Sequence, residues 1–236
     1  CLKSCEGLGE TLVIDAESTD QTVNIAKHYT SHIIINPFQN FKSQREFGAS
    51  KASGEWVLFV DADEQVSPDL KKEILSFIDQ DRYTLLEIPR QNIFLGKHIK
   101  YSGWDPNFVK RLVKKSTMIF NKQIVHESID TTGETMILSH QNAYLTHYTC
   151  QDLTQYINKI NHYTSLEVVY YANQEKHPFK LTVMGVIFRA LGMFTQTIFS
   201  YKGYKDGYRG FIIAGLNAMS SFLLMIKLWE KTKKDV

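Results

Sequence analysis

Cysteine is scarce: Cys1, Cys5 and Cys150 are the only three in 236 residues. Their spacing fits neither a metal-binding set nor a disulfide framework, which suits a reducing compartment. An excess of one charge is also lacking, since 27 Lys and Arg stand against 25 Asp and Glu, leaving +2. A domain that grips nucleic acid is usually far more basic, so no nucleic-acid partner is expected. There is no internal repeat, no low-complexity tract and no segment of signal-peptide type. What remains is 43% hydrophobic and 22% charged, a globular composition. The length allows one α/β domain with an appendage.

The chain opens at Cys1, and Leu2 to Cys5 has the texture of a helix interior, so a preceding piece is expected to be missing. Thr11 to Ile14 predicts a short buried strand. Thr19 or Asp20 is a candidate N-cap for a helix running to about His28. SHIIINP predicts a second strand stopped by Pro37. Ser43 to Ala52 is helix-like, and Gly54 breaks it. Glu55 to Val60 predicts a third strand, followed by a helix from about Pro68 to Ile78 with proline in its first turn. Tyr83 to Pro89 predicts another strand. Strands alternating with helices imply a largely parallel sheet with covered faces. After residue 90 the turn signals and short alternating stretches predict hairpins and loops beside the sheet. An amphipathic helix is expected from Asp152 to about Ala172, followed by two long apolar segments, Phe179 to Phe199 and Phe211 to Trp229.

Within this pattern, EWVLFVDADEQVSPDL is unusual. An apolar strand runs into Asp61, Asp63 and Glu64. Ligands of open α/β sheets bind outside the carboxyl ends of the strands. Two carboxylates delivered there suit a divalent metal also held by substrate phosphates, since magnesium takes one or two protein carboxylates and completes its shell with phosphate and water. A bare Asp-x-Asp reads more readily as a solvated acidic turn. Two neighbours strengthen the metal reading. In IDAESTDQT, Asp15 sits at a strand tip with Ser18, Thr19 and Asp20 behind it. A carboxylate there can accept from a base N–H, and hydroxyls can serve ribose or phosphate, although Thr19 and Asp20 also fit a plain cap. In SQREFGASKASGEW, Gln44 and Arg45 open a helix, where Arg45 is either a phosphate ligand or a surface arginine.

In this order, DxxSTDxT, QRxxG and the strand ending in DADE resemble the family 2 glycosyltransferases with the GT-A fold. SGWDPNFVKRLVKK, IVHESID, LTHY, NKINHYTSLE and KGYKDGYRGF resemble the bacterial members that add sugars to the inner core of lipopolysaccharide. The resemblance implies a GT-A-type, Rossmann-like mixed sheet with flanking helices. A catalytic domain would cover 1–150, with a nucleotide-sugar half at 1–90 and an acceptor half at 91–150. A helical, membrane-associated region would cover 151–236. Such enzymes begin with a strand of the type V-x-I-I-T-x-N-E-E; here it is absent, and the chain is expected to start in the helix that follows.

The resemblance also implies roles. Asp15 would meet uracil or another base, with Ser18, Asp20, Gln44 and Arg45 completing the donor site. Asp61 would touch the ribose or, through water, the metal, and Asp63 would bind Mg2+ or Mn2+ directly. The metal would bridge the diphosphate of a nucleotide sugar, a UDP-sugar foremost, and act as a Lewis acid for its departure. Inversion in one displacement needs a general base for the acceptor hydroxyl. Glu127 in VHES and Asp105 in GWDP compete for that task, Glu127 being favoured. Trp104 offers a sugar-stacking surface, with Arg111 and His126 as further acceptor contacts, and His147 can complete the metal shell. The structural alternatives are a salt bridge of Glu127 with Arg111, ordinary packing of Trp104, and structural roles for both histidines. The acceptor would be a glycolipid or lipopolysaccharide. A sugar nucleotidyltransferase is one rival reading, and a degenerate, non-catalytic membrane-bound partner protein is another. The presence of both Asp61 and Asp63 argues against the second.

Each apolar C-terminal segment approaches the roughly 20 residues that span a bilayer. Arg189 in the middle of the first opposes insertion by about 2.5–3.5 kcal/mol. Thr182, Arg189, Gln196 and Ser200 fall on one stripe near Gly185 and Gly192. Asn217, Ser220 and Ser221 form another near Gly210 and Ala214. This pattern predicts helices lying in the membrane interface with the stripe toward the catalytic domain. SYKGYKDGYRG, with Lys202, Lys205 and Arg209, is expected at headgroup level. The expected location is cytoplasmic, on the inner face of the cytoplasmic membrane. The alternative is burial in a soluble core or a dimer interface.

Overall fold

The computed structural model describes residues 1–80, 82–120, 129–140, 142–172 and 182–234. A single helical turn, α1 (Leu2–Cys5), leads to β1 (Val13–Asp15). Helix α2 (Thr22–Ala26) ends before His28, and Asp20 holds its start by accepting the Thr22 N–H at 2.9 Å. After β2 (Ile33–Ile35) comes α3 (Phe41–Lys51), which starts before Ser43 because the Asn40 side chain caps it, accepting the Ser43 N–H at 2.8 Å. Strand β3 (Trp56–Leu58) stops short of the acidic stretch, and β4 (Glu64–Val66) begins on its last carboxylate. Glu64 is therefore the first residue of a strand, fully buried, rather than part of an exposed acidic knot.

Helix α4 (Pro68–Ile78) is capped by Ser67, whose hydroxyl accepts the Leu70 N–H at 3.2 Å. It buries Leu70, Ile74 and Phe77, spaced for one helical face, against Val66, Leu86, Ile88, Leu112 and Leu145. Strand β5 (Tyr83–Phe94) continues past Pro89, because the ladder resumes at once with the Arg90 N–H donating to Asn107 at 2.7 Å. The short β6 (Lys97–His98) folds back on β5, and β7 (Phe108–Lys114) follows. Four more strands are β8 (Met118–Phe120), β9 (Ile129–Thr131), β10 (Glu134–Ile137) and β11 (Leu145–Tyr148). The C-terminal helices are α5 (Leu153–Ala172), α6 (Val183–Thr195) and α7 (Tyr208–Lys234).

The sheets are mixed. β1 and β2 pair in parallel. Seven strands form the larger sheet, in the order β3-β7-β5-β11-β4 with β10 and β6 also on β5. Within it only β10 on β5 is a parallel pair among those with a defined register. The expected largely parallel sheet is corrected here: β7, from the stretch expected to lie beside the sheet, inserts antiparallel between β3 and β5.

The chain forms two compact units, Cys1–Gln91 with Asn107–His147, and Asn92–Pro106 with Tyr148–Val236. The segment 92–106, expected in the acceptor half, thus groups with the C-terminal helices. In this second unit Phe94, Ile99, Ile160, Ile213 and Leu216 form one core, and Val168, Leu224 and Leu228 form another. Lys227 of α7 fastens α5 by donating to the Asn161 carbonyl and side chain, each at 2.7 Å, and to Thr164 and Ser165, each at 2.9 Å.

The polar stripes behave differently from one another. Asn217 of α7 turns inward and donates to the buried Thr197 at 3.1 Å, and Ser221 is buried. Thr182, Arg189, Gln196 and Ser200 are all exposed, so this stripe does not line a packed face. The half-buried side of α6 instead carries Gly185, Val186, Ala190, Met193 and Phe194, and the Phe194 ring meets Phe211 of α7 edge-on at 5.5 Å.

Candidate active site

The site residues gather at the strand ends of the first unit. Asp15 closes β1 and is 4% exposed. One carboxylate oxygen, Oδ2, accepts the Ser18 N–H at 2.9 Å, which fixes the loop that follows. Ser18 and Asp20 are exposed on that loop. The Asn36 N–H donates to the Asp15 carbonyl at 2.8 Å, and the Asn36 side-chain amide donates to Gln44 at 2.8 Å. Gln44 therefore ties α3 to the end of β2.

One turn holds the two aspartates apart. The Glu64 N–H donates to the Asp61 carbonyl at 2.9 Å, and Glu64 Oε2 accepts the Asp61 N–H at 3.0 Å. Arg45 Nη2 reaches Asp61 Oδ1 at 3.2 Å. Arg111 donates to Asp61 Oδ2 and, at 2.6 Å, to Glu64 Oε1. Arg90 Nη1 lies 3.4 Å from the same Glu64 oxygen. Three guanidinium groups (Arg45, Arg90, Arg111) thus face two carboxylates (Asp61, Glu64), an excess of one positive charge.

Burial by itself would raise the Asp61 carboxyl, but Arg111 and then Arg45 outweigh it and hold the group below the usual carboxylate range. Burial likewise acts to lower the Arg111 pKa, and Asp61 and Glu64 reverse it, keeping the guanidinium charged. Asp63, two residues on, points elsewhere. It is exposed, and its Oδ2 lies 3.3 Å from His147 Nε2. The β4–β11 register explains this meeting, since His147 stands opposite Glu64.

The structure therefore divides the residues expected from sequence. It joins Asp61 to Arg45 and Arg111, and Asp63 to His147. Arg111, expected at the acceptor, is corrected to a buried ion-pair member, because a side chain 4% exposed has no surface for a sugar. Asp61, expected also as a metal ligand, turns both oxygens to guanidinium groups. Glu127 and His126 lie outside the described residues. Asp105 and Trp104 belong to the second unit. Asp105 is exposed, whereas Trp104 is half-buried with its ring edge-on to Phe94 at 5.5 Å. Sequence reasoning missed Arg90 and the burial of Glu64. Arg90 carries no local signal, lying mid-strand directly after Pro89, a residue type that commonly ends a strand.

Among the described residues no group of three His, Cys, Asp or Glu side chains is placed to hold a metal ion. Asp63 with His147 is a two-donor set, a hard carboxylate oxygen beside an imidazole nitrogen. Such a pair fits a cation that draws its remaining ligands from phosphate and water.

Residues 2–144 match the family described as Glycosyl transferase family 2. An uncharacterized glycosyltransferase of Rickettsia prowazekii is 30% identical over 238 residues, covering 96% of this chain and 80% of that protein. A lipopolysaccharide core biosynthesis glycosyltransferase of Rhizobium meliloti is 23% identical over 245 residues, covering 98% and 86%. Among solved structures, Staphylococcus aureus TarS 1–349 in complex with UDP-GlcNAc aligns with 96% of this chain and 83% of that chain, at 15% identity and a TM-score of 0.44. With the family match spanning more than half of its length, the chain is a glycosyltransferase and belongs to glycosyl transferase family 2.

Proposed function

We propose that the chain transfers a sugar, with inversion at the anomeric carbon, from a nucleoside-diphosphate sugar to a hydroxyl of a lipopolysaccharide core or similar glycolipid. The observation that carries this reading is the Asp61–Asp63 turn, where one carboxylate is locked by arginines and the other is exposed beside a histidine. The Rhizobium meliloti relative, named for lipopolysaccharide core biosynthesis, supports the acceptor class.

In this reading Asp15 receives the base of the donor, uracil foremost, its orientation set by the Ser18 N–H. Arg45 and Arg111 hold Asp61 toward a ribose hydroxyl, and the one excess positive charge of the arginine network favours a diphosphate nearby. Mg2+ or Mn2+ would be held by Asp63 and His147. When bound, the ion supplies Lewis-acid stabilisation of the departing diphosphate. The acceptor oxygen forms its bond to the anomeric carbon as the bond to the diphosphate oxygen breaks, and the electron pair leaves with the nucleotide. A carboxylate, Glu127 or Asp105, takes the hydroxyl proton.

Asp63→Asn tests the metal assignment. Losing an outer-shell partner already costs about 10–100-fold, so losing a ligand should cost more than about 10²-fold in transfer. The fold should persist, since Asp63 is exposed. The assay is nucleotide release from a panel of nucleotide sugars, with and without chelator. Full turnover in the variant, or in excess chelator, overturns the assignment.

The same reading places the second unit on the inner face of the cytoplasmic membrane, beside a lipid-anchored acceptor. By length and composition Val183–Ser200 and Tyr208–Thr232 are apolar enough to cross a membrane. Val183 is 77% exposed, Phe188 64% and Phe199 69%. On α7, Tyr208, Phe211, Phe222, Ile226 and Trp229 are exposed and share one narrow helical face. Burial of α7's other face in the second unit favours lying on the surface over spanning it. The full chain should sediment with vesicles containing anionic lipid, and salt should weaken this only in part, because apolar contact persists when charge is screened. A protein that stays monomeric in detergent-free buffer and ignores such vesicles overturns the membrane reading.

A further inference from the structure

The stretch SYKGYKDGYRG does more than offer tyrosines and cations to a surface. Its aspartate is 7% exposed and engaged on both oxygens. Asp206 Oδ1 accepts the Lys100 N–H at 3.2 Å, and Oδ2 accepts the Tyr101 N–H at 3.1 Å and the Ser102 hydroxyl at 2.7 Å. The Ser102 N–H donates to the Tyr201 carbonyl at 3.0 Å. Arg209 adds two bonds to the Leu95 carbonyl, at 3.1 and 2.8 Å. The loop that these groups grip is one that would not hold itself. Ser102 sits at φ 60° and Gly103 at φ 80°, the left-handed region, which costs energy for a residue with a side chain. The grip also needs close backbone contact: a Cβ on Gly210 would lie 1.9 Å from the Gly203 carbonyl oxygen.

The gripped loop runs directly into Trp104 and Asp105. The Trp104 N–H donates to the Tyr101 carbonyl at 3.0 Å, and the Asn92 amide donates to the Trp104 carbonyl at 3.1 Å. One side of the indole is seated on Phe94 and Tyr156, and Asp105 is left exposed. A carboxylate that gathers three donors from consecutive residues fixes a backbone path more firmly than neutral bonds would.

We propose that Asp206 is a positioning residue for the transfer reaction: it holds the 100–103 loop in its left-handed path and so presents Trp104 and Asp105 to the acceptor sugar. This rests on the transferase reading above. Misplacing a reacting or binding group by 1 Å costs about 10²-fold, so the loop need not unfold for the effect to be large.

Asp206→Asn keeps the side-chain volume but turns one oxygen into an NH2 facing donors. Ser102→Ala removes one of the three bonds and should give a smaller effect of the same kind. Two measurements separate the possibilities. Amide hydrogen exchange across residues 95–106, read by mass spectrometry, should speed up more than about tenfold in Asp206→Asn without change elsewhere in the chain. Transfer to acceptor should fall by about 10²-fold, chiefly through the acceptor KM, while hydrolysis of the donor by water stays within about twofold. Unchanged exchange at 95–106 overturns the positioning role whatever the activity. Donor hydrolysis falling in step with transfer also overturns it, because that marks general destabilisation. A wild-type protein that turns over no nucleotide sugar overturns the transferase reading itself, and the positioning role with it.

Discussion

Replacing Arg111 with methionine should lower the stability of the first unit by about 3–5 kcal/mol, the usual cost of removing one partner from a buried ion pair. Arg111 is 4% exposed and Glu64 is fully buried. With the guanidinium gone, Glu64 keeps Arg90, 3.4 Å from Oε1, and the Asp61 N–H at 3.0 Å on Oε2. That leaves a charge in a low-dielectric site without its shortest bond. Arg111→Lys should cost less, since the charge remains while the fork that reaches two carboxylates at once is lost. Adding Glu64→Gln to Arg111→Met should recover part of the loss, because the stranded charge is then neutral. Urea midpoints followed by fluorescence in a Trp104→Phe, Trp229→Phe background report on the first unit, as Trp56 is then the sole tryptophan and packs against its core. A midpoint for Arg111→Met equal to that of the parent protein would show that the pair carries no stability.

The same network sets an acid limit. The Asp61 carboxyl is held below its usual range, so its folded pKa lies under the unfolded value of about 3.9. The contribution is present above that unfolded value and is lost as pH falls through the lowered folded pKa. The parent protein should therefore lose stability on acidification below about pH 4. In Arg111→Met, where the first cause of the depression is gone, that acid limb should be shallower.

The sequence made parts of this site plain and hid others, for physical reasons. Asp15 at a strand tip, a helix that carries Gln44 and Arg45, and a helix starting at Pro68 all follow from local rules, and the structure has each of them, although α3 begins at Phe41 under the Asn40 cap rather than at Gln44. What Asp61 does is not local. Its environment is set by Arg111, which arrives from β7, and by Arg45, which arrives from α3. No spacing within DADE announces either. The separation of Asp61 from Asp63 likewise depends on Glu64 entering β4, and the apolar residues around it favour a strand end as readily as a strand start. At the C-terminus, periodicity located the helices but assigned the α6 stripe to the wrong side. A helical wheel gives the angle between residues, not which side packs, and the half-buried side of α6 is the one that carries Val186, Ala190, Met193 and Phe194. The contact of Gly210 with the Gly203 carbonyl is invisible to any pattern of polarity.

Of the two carboxylates that compete as base, Glu127 is expected to be the one whose loss stops the reaction. Glu127→Gln keeps the shape and removes the proton acceptor, so kcat should fall by about 10²–10⁴-fold. Donor binding, measured by calorimetry with nucleoside diphosphate, should be nearly unchanged, because the base acts on the acceptor hydroxyl. The pH profile adds a second reading. The rising limb of kcat/KM belongs to the deprotonation of the base in the free enzyme, so the residual rate of Glu127→Gln should lose that limb. Asp105→Asn should instead raise the acceptor KM with a milder fall in kcat. Asp105 follows Trp104 in the turn fixed by Asp206, a place suited to holding a sugar. Both variants should keep the parent's melting temperature: Asp105 is exposed, and the Glu127 change is isosteric. If Asp105→Asn removes the rising limb and Glu127→Gln retains it, the two roles are exchanged, and the base lies in the segment that groups with the C-terminal helices.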